Sequence, residues 1–146
     1  LKDPECSGLL INIELKHCPG QNSDLAKATC AVIEALGAEA RVLFSSFNPM
    51  LLRAVSKQLP QVPRALLATE EADPENKIYL KKMWLAFLAR PHMLNFDGRF
   101  FTERLARRLG VRKVPVAIWT VEQPEEARKF LAMGAKSIIS PNPKII

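Results

Sequence analysis

Short apolar runs alternate along this chain with segments in which apolar residues recur every three or four positions. The short runs predict six strands: Leu9–Leu15, Val42–Ser45, Arg64–Ala68, Met93–Phe96, Val114–Trp119 and Ser137–Ser140. The segments between them predict amphipathic helices at Ser23–Leu36, from Ser46–Pro49 to Pro60, at about Glu75–Ala89, at about Thr102–Leu109 and at Pro124–Gly134. Regular alternation of strand and helix predicts right-handed crossovers, a parallel sheet and a single α/β domain over residues 1–146.

Two parallel architectures fit this alternation, an open doubly wound sheet and a closed (β/α) barrel. A glycine-rich phosphate loop after the first strand would favour the open sheet, but Lys16–Gly20 has no such pattern. Polar side chains instead gather where strands end: Glu14, Lys16, Ser45, Ser46, Asn95, Asp97, Thr120 and Ser140. Barrel enzymes place their chemistry at that edge, so the pattern favours a barrel.

The composition is that of a globular domain, with 48% hydrophobic and 25% charged residues among 146. No apolar run approaches the roughly 20 residues of a membrane span. The net charge of +6 would suit an anionic, phosphate-bearing substrate, whereas the cations of Arg104–Lys113 lack the interleaved aromatic residues of a nucleic-acid site. Three scattered cysteines favour a reducing, cytoplasmic setting over a disulfide framework.

The first residues carry neither an initiator methionine nor a signal peptide, so we expect a cut within a longer polypeptide.

The first strand carries the most informative side chains. Asn12, Glu14 and Lys16 share one face of an extended strand, because side chains alternate. On the inner face of a barrel, a carboxylate could bind a hard cation and an ammonium could bind a phosphate oxygen. The alternative is a structural salt bridge that closes the end of the barrel.

The motifs Ile13-Glu14-Leu15-Lys16, Ser45-Ser46-Phe47, Ile118-Trp119-Thr120-Val121 and Gly134–Ser140 occur in order at suitable spacing. In this combination, from about Leu9 to Pro143, the chain resembles the glycerophosphodiester phosphodiesterase family. The resemblance implies strands three to eight of a TIM barrel that hydrolyses glycerophosphodiesters to glycerol phosphate and an alcohol with a divalent metal, Mg or Ca. It assigns Glu14 to the metal, Lys16 to the substrate phosphate, and Trp119 and Phe47 to substrate binding.

Several family motifs are absent, namely His-Arg-Gly, the Glu-x-Asp metal pair and His-Asp. The catalytic histidines are therefore expected upstream, and these residues alone are expected to be inactive. The closing Ser140–Pro143 replaces Thr-Asp-x-Pro, which motivates an alternative: a non-catalytic barrel that binds phosphate or another protein. A third reading is an unrelated barrel that shares these motifs by chance.

Local residues do not replace the missing groups. His17 and His92 are expected to be structural or solvated, and Ser45 and Ser46 lack a general base. Six strands cannot close an eight-stranded barrel, so we expect completion by a missing N-terminal segment or a second chain.

Overall fold

The protein is seen in a computed structural model that describes residues 1–6, 8–16, 22–69, 90–142 and 144–145. Six strands form one parallel sheet in the order β1 to β6. They are β1 (Ile11–Glu14), β2 (Val42–Ser46), β3 (Arg64–Ala68), β4 (Met93–Asp97), β5 (Val116–Trp119) and β6 (Ser137–Ile138). A doubly wound sheet reverses its strand order at a switch point, whereas this order is sequential, as in a barrel. The prediction of a parallel α/β fold is confirmed as a curled, half-barrel sheet.

Helices follow the strands as the hydrophobic pattern predicts. They are α1 (Asn22–Ala35), α2 (Pro49–Gln58), α3 (Glu103–Val111) and α4 (Pro124–Ala132). Asn48 and Thr102 cap α2 and α3, since their side-chain oxygens accept backbone N–H groups of the first turn. The helix predicted at Glu75–Ala89 lies outside the described residues.

Strand ends differ from the prediction where backbone groups have other partners. β1 begins at Ile11 rather than Leu9, because the Leu9 carbonyl accepts from the Arg41 guanidinium. β5 begins at Val116 because the Val114 N–H bonds Leu109 at the end of α3.

β6 ends at Ile138, and Ser140 instead accepts the Asn142 N–H in a turn. The remaining differences are of one or two residues: β2 and β4 each extend one residue further, α1 begins at Asn22 rather than at a Ser23 cap, and α3 continues to Val111.

The sheet separates a helix-packed face from an inner face. Side chains of the helix-packed face join two apolar clusters, one with α1 and α2 and one with α3 and α4. The inner face is layered, because strand register places residues of neighbouring strands opposite one another. Its layers are Glu14–Ser45–Ala65–Met93, then Leu67–Asn95–Ala117–Ser137, then Asp97–Trp119.

The amino edge of the sheet is held by a buried cation. Arg64 is 4% exposed, and its guanidinium donates to the carbonyls of Val62 at 2.8 Å and Pro60 at 3.2 Å. His92 accepts the Arg64 N–H through Nδ1 at 3.1 Å, and burial followed by the Arg64 charge lowers the pKa of His92. Nδ1 accepts this hydrogen bond and so carries no proton, and the contact is structural, which is one of the two roles expected for His92.

Candidate active site

The carboxyl end of β1 carries two exposed charges, Glu14 on the inner face and Lys16 just beyond the strand. Glu14 stands opposite Ser45 in register, and Lys16 follows two residues later. Within the described part of the chain, no hydrogen bond or ion pair joins Glu14 to Lys16 or ties either one to another side chain. The salt-bridge alternative is therefore not formed, and both groups remain available to a ligand.

Trp119 and Phe47 come together although they are 72 positions apart in the sequence. Their ring centroids lie 5.9 Å apart with an interplanar angle of 87°. The indole Nε1 donates to the backbone carbonyl of Asn95 at 2.9 Å, which holds the ring against β4. Edge-to-face aromatic packing and this hydrogen bond fix an apolar wall at the carboxyl edge, with both rings still partly exposed.

Two polar side chains lie buried beneath this edge without partners. The Ser45 hydroxyl and both amide atoms of Asn95 make no hydrogen bond within the described chain, and the two residues are 0% and 1% exposed. Native proteins rarely leave such groups unsatisfied. The inner face therefore has hydrogen-bonding capacity that the described residues do not use.

A buried carboxylate ends β4, in the same inner layer as Trp119. Asp97 accepts from Thr69 Oγ1 at 2.8 Å and pairs with Arg99 Nη2 at 2.7 Å. Burial alone would raise the pKa of Asp97, but the hydrogen bonds from Arg99 and Thr69 outweigh it and hold the pKa below the ordinary aspartate value. Asp97 is thus an anion that organises the rim of the sheet.

Ser46 lies on the helix-packed face and links the ends of β1 and β2. Its hydroxyl donates to the Leu15 carbonyl at 2.6 Å and accepts the Asn48 N–H at 3.0 Å. Both contacts are structural, and His17, the nearest histidine in sequence, lies outside the described residues. Among the described residues, the hydrogen-bond partners of the Ser46 hydroxyl are backbone groups, and no general base is among them.

A divalent cation needs more oxygen ligands than the described residues bring together. The described residues contain no group of three or more histidine, cysteine, aspartate or glutamate side chains that could hold a metal. Calcium takes six to eight oxygen ligands and magnesium six. Glu14 can supply one ligand, so the described residues fit a hard cation only as part of a larger set.

The sequence pattern indicates which residues lie at the carboxyl edge of the sheet, but it does not indicate which of them are in contact. Glu14, Lys16, Phe47 and Trp119 all lie at or near the carboxyl ends of strands, and the two aromatic residues are in contact. The sequence pattern identifies Asn95 and Asp97 only as polar residues near the end of a strand. Their alternation with Leu94 and Phe96 was the available signal that they face inward.

No helix of the described residues is both long and apolar enough to cross a membrane.

Comparison with known proteins finds relatives in sequence and in fold. A glycerophosphodiester phosphodiesterase of Caldanaerobacter subterraneus is 28% identical over 141 residues, which are 94% of this chain and 54% of that protein. The crystal structure of a glycerophosphodiester phosphodiesterase from Parabacteroides distasonis matches with a TM-score of 0.74 at 19% identity, over 96% of this chain and 56% of that one.

An Oleispira antarctica phosphodiesterase, solved with its product sn-glycerol-3-phosphate, matches with a TM-score of 0.70 at 20% identity, over 90% of this chain and 51% of that one. The chain thus spans about half the length of these relatives. The model of the glycerophosphoryl diester phosphodiesterase family matches residues 8–145. The chain therefore belongs to the glycerophosphoryl diester phosphodiesterase family.

Proposed function

We propose that the protein hydrolyses glycerophosphodiesters to glycerol phosphate and an alcohol, and that this chain supplies strands three to eight of its TIM barrel. The observation that carries the proposal is the shared edge at which a free carboxylate, a free ammonium and an aromatic wall occur together in a member of this family. The product complex of the Oleispira relative supports glycerol phosphate as the chemical class of ligand.

Lys16 would bind a non-bridging phosphate oxygen, because its ammonium is exposed and has no carboxylate partner in the described chain. A charge held there stabilises the phosphate in the bound substrate and more strongly as negative charge develops. The Trp119–Phe47 wall would pack against the glycerol carbons. Glu14 would contribute one oxygen to a bound Mg or Ca.

The acid–base groups would come from residues outside this chain, and the 146 residues alone would be inactive. Either another segment of the polypeptide or a second chain would complete the inner face. The cysteines suggest the cytoplasm as the setting.

The alternative function, a barrel that binds phosphate without catalysis, is favoured by the closing turn. There Ser140 accepts the Asn142 N–H and Asn142 accepts the Lys144 N–H, so both polar side chains serve the turn itself.

The test compares Lys16→Met and Glu14→Gln in the full-length protein, with Lys27→Met on the exposed side of α1 as the control for loss of a lysine charge. We expect Lys16→Met to lower kcat/KM for a glycerophosphodiester without lowering Tm. The loss should correspond to about 1.5–3 kcal/mol of activation free energy, the value of a charged hydrogen bond. Glu14→Gln should weaken metal binding and abolish most turnover, while Lys27→Met should do neither.

Wild-type turnover in Lys16→Met would refute its phosphate contact. A full-length protein that binds sn-glycerol 3-phosphate but does not hydrolyse any glycerophosphodiester would establish the binding module instead.

A further inference from the structure

A cavity lies between the carboxyl-terminal ends of α3 and α4, at the edge of the sheet opposite the candidate active site. Its volume is about 380 Å³, and its floor includes the buried side chains of Phe101, Leu109 and Val116. Lys113 and Lys136 are the charged residues that line it, and both are exposed. A cavity lined by apolar side chains and by two lysines suits a ligand with an apolar body and an anionic end.

The backbone conformation of Lys113, at the end of α3, is the second observation. Helices α1, α3 and α4 end with the same pair of hydrogen bonds, here Lys113 N–H to Gly110 and Val114 N–H to Leu109. This motif needs a left-handed residue, which glycine supplies at the lowest cost. The residue is Gly37 with φ +58° in α1 and Gly134 with φ +101° in α4, but Lys113 with φ +54° in α3. The lysine is thus kept at the cavity in a conformation that glycine would adopt more easily.

The charge around the cavity is positive. Residues 103–136 contain eight lysine and arginine residues against four glutamates, so they carry +4 of the chain's +6. The ends of α3 and α4 contribute roughly half a negative charge each, which offsets about one of the two lysine charges. Within the described chain, neither Lys113 nor Lys136 has an acidic partner.

We propose that this cavity binds a medium-chain fatty carboxylate, with its alkyl chain on the apolar floor and its carboxylate between Lys113 and Lys136. A volume of about 380 Å³ lies within the range of pockets that hold small organic ligands, and decanoate is a ligand of that class. The site is separate from the proposed catalytic edge and does not depend on that activity.

In the experiment, decanoate is titrated into the protein, and binding is measured by calorimetry and by changes in amide NMR shifts. We expect a Kd of at most about 1 mM and shifts confined to residues around the cavity. Lys113→Gly and Lys136→Gln should each weaken decanoate binding about threefold to fivefold, as loss of an exposed ion pair does, and leave decanol binding unchanged. Lys27→Gln on α1 is the charge control and should have no effect.

Two further variants separate binding from folding. Lys113→Gly should melt at a higher temperature than wild type while it binds decanoate more weakly, because glycine relaxes the left-handed position. Ala106→Phe should fill the cavity and abolish binding, whereas Ala106→Ser leaves the space open and should retain it.

Absence of decanoate binding at millimolar concentration, or shifts away from α3 and α4, would overturn the proposal. So would decanoate affinity that survives Ala106→Phe. Equal loss of decanoate and decanol affinity in the lysine variants would overturn the assignment of an anionic ligand.

Discussion

The Asp97 carboxylate offers the most direct test of how the carboxyl edge is held together. Asp97→Asn preserves the shape of the side chain but removes its charge. In the wild-type chain, Asp97 Oδ2 accepts from Thr69 Oγ1 at 2.8 Å and from Arg99 Nη2 at 2.7 Å, while Oδ1 accepts the Arg99 backbone N–H at 3.0 Å. An amide at this position can keep the backbone contact through its oxygen, but its NH₂ group then faces the Arg99 donor.

The magnitude follows from the exposure of the partners. Asp97 and Thr69 are 1% and 3% exposed, so their hydrogen bond is a buried, charged one worth about 1.5–3 kcal/mol. The Arg99 side chain is 59% exposed, and an ion pair of that kind contributes at most about 1 kcal/mol. We therefore expect Asp97→Asn to lower the free energy of unfolding by about 2–3 kcal/mol. Arg99→Gln, the matched control, should lower it by about 1 kcal/mol or less.

Urea denaturation at several pH values measures both the loss and its origin. Because the folded-state pKa of Asp97 lies below its ordinary value of 3.8, the carboxylate stabilises the fold above that value. Its contribution disappears as pH falls through the lowered folded-state pKa. The difference between wild type and Asp97→Asn should thus be full at pH 7 and shrink in acid. Equal stability at pH 7, or a difference that does not change with pH, would refute this reasoning.

Two other predictions concern the amino edge of the sheet and its two outer strands. Arg64→Met should lower the free energy of unfolding by about 2–4 kcal/mol, because the Val62 and Pro60 carbonyls lose a buried cationic donor, and Arg64→Lys should recover part of the loss. A Met variant as stable as wild type in urea would contradict this. The chain alone should self-associate at micromolar concentration, since β1 and β6 each have one strand neighbour in the described chain. Light scattering that shows a monomer with one cooperative unfolding transition would contradict the need for completion.

The elements of the fold were predictable because each buries a distinct apolar pattern. Phe44 and Leu52 lie in the helix-packed core, where the periodicity of their segments placed them. The ends of the strands were less predictable, since they depend on contacts between distant residues. Nothing near Leu9 in the sequence indicates that Arg41, 32 positions away, bonds its carbonyl.

The candidate site likewise has some features that the sequence predicts and others that depend on contacts between distant residues. The inner-face position of Glu14 was predictable because side chains alternate along β1, and Lys16 follows two residues beyond the strand. The Asp97–Thr69 hydrogen bond spans 28 positions and depends on the pairing of β3 with β4, which a sequence pattern does not specify. The contact of Phe47 with Trp119 depends likewise on curvature of the sheet, which brings residues of β5 toward the end of β2.

The unpaired polar atoms of the inner face bear on how the half-barrel functions. A buried donor or acceptor without a partner costs about 1–3 kcal/mol, and Ser45 and Asn95 together carry three such atoms. That cost is comparable to the whole stability of a small domain, about 5–15 kcal/mol. The helix-packed face of the same sheet is covered by apolar clusters, and its described residues in β2 and β4 have no buried polar side-chain atom without a partner. The unpaired atoms of Ser45 and Asn95 therefore lie on the face that also presents Glu14 and Trp119. A second layer that supplied hydrogen bonds to Ser45 and Asn95 would stabilise the sheet and, in the same step, enclose the edge of the candidate active site.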